Sequence, residues 1–172
     1  GPKVSSELLK SGIISIGLAL LMMLFYIWFR FEWQFSLGSI IALFHDIIST
    51  IGFFSLTQIE FNLSSIAAML TIAGYSINDT VVVFDRIREN LVKKQNTSFK
   101  QLLNVSINAT LSRTIMTSVT TLIALIALLT LGGDVIAGFV SSMIWGVLIG
   151  TYSSIFIASP LIAFFGFKLI KN

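Results

Sequence analysis

Cysteine is absent from this 172-residue chain, proline occurs twice and histidine once. Without cysteine there are no disulfides, no thiolate chemistry and no sulfur-ligated metal centre, although the redox compartment stays open. One histidine with no cysteine beside it gives no metal-ligand set, so no metal site is expected. Charge is scarce as well: 11% of residues are charged, where soluble domains carry roughly a quarter. The net charge of +3 is small and scattered, which argues against a nucleic-acid partner. Phosphate-loop, HExxH and GxSxG patterns are missing, so neither nucleotide hydrolysis nor another enzymatic reaction is expected, and no organic cofactor. What fills the chain is apolar: 55% hydrophobic residues and a mean hydropathy of +0.93. That composition belongs to an integral membrane protein with no room for a sizeable soluble domain. The chain opens at Gly1-Pro2 with no initiator Met and no secretory signal pattern, which suggests a piece of a longer protein.

A spanning helix needs about 20 apolar residues. Five segments qualify, at about 8–29, 35–56, 63–84, 111–131 and 135–158. Pro160 is expected to kink or end the last of them. The fold class is therefore all-α: a polytopic membrane helix bundle with five transmembrane helices in a single domain over residues 1–172. Lys and Arg set the orientation. Arg30, Arg86, Arg88, Lys93, Lys94, Lys100, Arg113, Lys168 and Lys171 fall on one side, against Lys3 and Lys10 on the other. This bias places the C-terminus and the loop at about 86–110 in the cytoplasm. It places the N-terminal end outside, so an earlier span is expected upstream. Within the loop, Phe99, Leu102, Leu103, Ile107 and Leu111 recur at helical spacing. They predict a short amphipathic cytoplasmic helix whose apolar side meets lipid, with partner docking as the rival reading.

Three polar features interrupt the apolar spans. Asp79 lies six residues inside Asp85-Arg86, about 9 Å along a helix, among Tyr75, Ser76, Asn78 and Thr80. Arg113 begins the fourth span at similar depth, followed by Thr114, Thr117, Ser118, Thr120 and Thr121. The two ionisable groups are natural partners, since pairing offsets the desolvation each suffers alone. One reading is a static pair that fixes packing. The other is a proton site governed by how near the arginine stands. The third feature, His45-Asp46, falls near the middle of the second span. A structural hydrogen-bonding role is favoured there over a proton relay. Small residues at steps of four, Ser142, Gly146, Gly150 and Ser154, mark a close helix contact in the fifth span. Ser11, Ser15 and Ala19 form a weaker version in the first.

The run "GYSINDTVVVFDRIREN", residues 74–90, resembles the signature of the SecF family, whose members are the smaller membrane subunits of the bacterial SecD/SecF complex within the resistance-nodulation-division superfamily. "ALFHD" at 42–46, "RFEW" at 30–33 and "SRTIMTS" at 112–118 are similar to the same family. The resemblance covers essentially the whole chain and corresponds to the family's second to sixth membrane helices. It implies a subunit of the bacterial inner membrane that couples the proton motive force to preprotein export, with protons as the coupling ion. It further implies that Asp79 and Arg113 serve proton passage. SecD, the SecYEG translocon, YajC, YidC and the preprotein are the implied partners. A small-solute proton antiporter of the superfamily and a purely structural subunit are the alternatives.

Overall fold

The computed structural model describes residues 2–93 and 97–166. Lys94, Lys168 and Lys171, used above for orientation, lie outside the described residues. Helix α1 spans Pro2–Arg30, α2 Trp33–Thr57, α3 Leu63–Lys93, α4 Phe99–Leu131 and α5 Asp134–Ser153. A π-helical turn, Ser154–Ala158, then leads without a break into α6, Ser159–Gly166. Among the described residues, five helices are long and apolar enough to cross a membrane. The expected spans, bundle and fold class are all present.

Local chemistry sets the helix ends. Asn62 caps α3 by accepting from the amides of Ser64 and Ser65 at 2.9 and 3.3 Å. Ser98 caps α4 by accepting from the Gln101 amide at 3.4 Å, while its hydroxyl donates to Gln101 Oε1 at 3.0 Å, so one orphan amide of the first turn gains an acceptor. Gly133, at φ +77°, turns the chain between α4 and α5 in a region that favours glycine.

Helix α3 is the hub, packing against α1, α2, α4 and α5. Its contact with α5 is close because the stripe Ser142, Gly146, Gly150 and Ser154 is buried, as its spacing predicts. A Cβ at Gly146 would collide with the Ile72 side chain, and one at Gly150 would stand 3.1 Å from Ser76 Cβ. The weaker stripe on α1 does not behave this way: Ser11 and Ser15 are exposed, and it is Gly12 that is buried, against Ile66.

Two expectations need correction. The predicted amphipathic segment is the beginning of α4 itself, one continuous helix of 33 residues, or about 50 Å. Its apolar residues Phe99, Leu102 and Leu103 are buried in the same core as Phe31, Phe35, Phe84 and Ile162. They meet the protein, not lipid. Helical spacing reveals an apolar face but not what covers it. Pro160, in turn, does not end the last span. The π-helical turn just before it loosens the backbone where the proline ring would otherwise press on the carbonyl four residues earlier. Ser159 Oγ donates to the Ser154 carbonyl at 2.8 Å, across five residues.

The second half of the signature is a clamp. Arg30 pairs with Asp85 at 2.9 Å, and Arg88 donates to the Arg30 carbonyl at 3.3 Å. Buried Asn90 donates to buried Ser106 at 2.8 Å. These contacts fasten α3 to the α1–α2 turn and to the start of α4, at the end of the bundle rich in basic residues.

Candidate functional site

Halfway along α2, Asp46 is fully buried. Its Oδ2 accepts from Ser76 Oγ of α3 at 2.5 Å and from Ser153 Oγ of α5 at 2.8 Å. The two serine hydroxyls are 3.5 Å apart. Oδ1 lies 3.1 Å from Nδ1 of His45, whose half-exposed ring sits 6.2 Å from that of Tyr152. An isolated carboxylate in hydrocarbon is costly unless it is hydrogen-bonded. Here the bonds come from three helices, so the carboxylate also fastens them together.

Asp79 follows Ser76 by one turn of α3 and is 4% exposed. Its surroundings differ from the serine and asparagine cage its neighbours suggest. Ser76 gives its hydroxyl to Asp46. Asn78, about 100° round the helix from Asp79, faces outward. Thr80 is buried. Asp79 Oδ2 has no hydrogen-bond partner among the described residues. Arg113, the natural partner of Asp79 by its place in the sequence, is exposed on α4. Yet among the described residues no ion pair within 4.0 Å joins them.

A second polar seam links α3, α4 and α5. Tyr75 Oη donates to Ser118 Oγ at 3.3 Å, and Ser118 Oγ is 2.7 Å from Thr151 Oγ1. Thr117 takes no part in it. Its hydroxyl donates to the Thr114 carbonyl of its own helix at 2.9 Å. Sequence reasoning missed Ser153 and Thr151. The available signal was slight: Ser153 lies three residues beyond Gly150, on the helix whose small residues already face α3. Among the described residues no group of three or more His, Cys, Asp or Glu side chains could hold a metal ion.

A multi-pass α-helical membrane protein with two buried carboxylates, one saturated by hydroxyls and one left open, is the class that fold and site define. The comparisons make it specific. The chain belongs to the family "Protein export membrane protein SecD/SecF, C-terminal", whose model matches residues 1–168. It is 54% identical over 172 residues to protein translocase subunit SecF of Rhodobacter capsulatus, covering all of this chain and 52% of that protein. It is 57% identical over 166 residues to the Cereibacter sphaeroides subunit, covering 96% and 51%. The chain thus spans about half the length of these relatives. Among solved structures it is similar to SecDF, a translocon-associated membrane protein from Thermus thermophilus, with a TM-score of 0.91 and 45% identity over 96% of this chain and 23% of that one. A SecDF structure in a super-membrane-facing form aligns at a TM-score of 0.82 and 48% identity, over 87% and 20%.

Proposed function

We propose that this chain is the membrane part of a SecF-type subunit that uses the proton motive force to assist preprotein export across the bacterial inner membrane. In this reading Asp79 carries the proton. The supporting observation is its burial with one carboxyl oxygen unpaired among the described residues, on a helix packed against the one that carries Arg113. Arg113 drawn close favours the charged carboxylate, and Arg113 drawn away favours the protonated acid. A shift of α4 against α3 therefore exchanges one proton, and each charge crossing the field supplies about 2.3 kcal/mol per 100 mV. SecD supplies the remaining half of the conduit. SecYEG, with YajC and YidC, receives the work, and the preprotein is its object.

Proton flux in vesicles holding the complete complex tests this reading. Asp79→Asn and Arg113→Ala should both stop flux and export while the complex still assembles. Flux that survives Asp79→Asn overturns it. The basic-residue bias further places Lys93 and the C-terminus in the cytoplasm and Glu60 outside. Single cysteines at 93 and 60, labelled from outside intact cells, should react at 60 and stay silent at 93.

A further inference from the structure

We infer that Asp46 is a positioning residue for Asp79: its carboxylate clasps α3 to α5 through Ser76 and Ser153 and so fixes where Asp79 is presented. The inference rests on the proton-carrying reading of Asp79. Ser76 and Asp79 are three residues apart, so their side chains lie on nearly the same face of α3, one above the other. Ser76 is tied at 2.5 Å to Asp46 Oδ2, and the same oxygen holds Ser153 at 2.8 Å. Gly150, three residues before Ser153, brings the α5 backbone against Ser76 so closely that a Cβ would stand 3.1 Å from Ser76 Cβ. The turn of α3 that precedes Asp79 is therefore held by a carboxyl oxygen on one helix and a backbone contact on another.

Asp79 itself has no comparable anchor, because Oδ2 lacks a partner among the described residues. Whatever holds Ser76 thus sets the depth and direction of the open carboxyl. Both serine hydroxyls converge on the one oxygen, Asp46 Oδ2, so losing either of them loosens the link between α3 and α5. The titratable groups nearest the clasp are His45, bonded to Asp46 Oδ1, Tyr152 of α5 beside the His45 ring, and Asp79 with Tyr75 on α3. On α4 the charged group is Arg113, which is exposed.

The test reads Asp79 directly. The complete SecDF-type complex, in lipid vesicles, is treated with a hydrophobic carbodiimide, which reacts with protonated carboxyls. Labelling of Asp79 is followed by mass spectrometry as a function of pH. Ser153→Ala should move the midpoint of the labelling profile by about one pH unit, a tenfold change in protonation. Ser153→Thr, which keeps the hydroxyl, should restore it. Ser106→Ala removes an equally buried hydrogen bond, the one to Asn90 at the basic end, and should leave the profile in place. A wild-type midpoint in Ser153→Ala overturns the inference. If Ser153→Ala does not assemble, Asp46→Asn, which keeps the shape and replaces one of the two carboxyl oxygens by an amide group, is held to the same criterion. Failure of the underlying reading is distinguishable, since it appears as proton flux that persists in Asp79→Asn whatever the labelling shows.

Discussion

Asp46 and Asp79 are both buried in the bundle, but their surroundings differ. Asp46 has two hydroxyls on one oxygen and an imidazole on the other, so it is fixed between α2, α3 and α5. Asp79 has an oxygen with no partner among the described residues, where no ion pair within 4.0 Å joins it to Arg113. A saturated carboxylate resists change, because any movement of its helices breaks bonds that the bilayer cannot replace. An open one gains from whatever approaches it, whether a proton, a water molecule or Arg113. The difference teaches that ionisable groups in a membrane have to be judged by their partners and not by their burial.

Four perturbations break or sharpen this contrast. The largest effect is expected at the open carboxyl: Asp79→Asn should abolish proton-dependent export, measured with purified preprotein in vesicles. It should leave the complex assembled, since no side-chain bond to its unpaired oxygen is lost. The next largest is at the α3–α5 contact beside the saturated one. Gly146→Leu drives a side chain into Ile72 and should cost about 3 kcal/mol, the upper range for overpacking. Lost complex yield and a lower melting temperature in detergent would record it. Ser153→Ala removes one of the two hydroxyls on Asp46 Oδ2 and should cost about 1–2 kcal/mol, the scale of a hydrogen bond between membrane helices. Equilibrium unfolding in mixed micelles measures it, and an unchanged stability would mean that Asp46 is not a clasp. The smallest effect is expected at the basic end, where the Arg30–Asp85 pair is 44% exposed on each side. Asp85→Asn should cost less than about 1 kcal/mol, and raised salt should shrink even that.

How far the sequence discloses this arrangement depends on the kind of signal. Twenty-residue apolar runs and the Ser142–Ser154 stripe are linear features, and each appears in the structure where its spacing places it. The partnership of Asp46 with Ser76 and Ser153 joins residues 30 and 107 positions apart, and nothing local marks it. A serine in a membrane helix ordinarily satisfies itself on a carbonyl of its own preceding turn, as Ser142 does on Gly138. Ser153 does so too, on Gly150 at 3.2 Å, while also reaching Asp46. The start of α4 misled for a related reason. Phe99, Leu102 and Leu103 have the spacing of an interfacial helix, and the α6 segment near them in space is more than 50 residues away in sequence. Within the signature, "GYSINDT" and "FDRIREN" form one helix, and only their contacts separate the half that meets Asp46 from the half that clamps Arg30 and Ser106.

The widened turn at Ser154–Ala158 has a consequence for how this chain tolerates length changes. A turn closed from residue i to i+5 holds one residue more than an α-helical turn, so it is equivalent to a single-residue insertion absorbed within a helix. Everything after it is rotated by about 100° relative to an uninterrupted helix. That rotation brings Ile162 into the core at 2% exposure, where it faces Gly38 beside Phe84. Deleting one residue from 154–158 would return the segment to regular α-helix and leave Ile162 against the core, whereas a regular helix of unchanged length would turn it away. The last helix thus takes its register from an irregular turn in the chain.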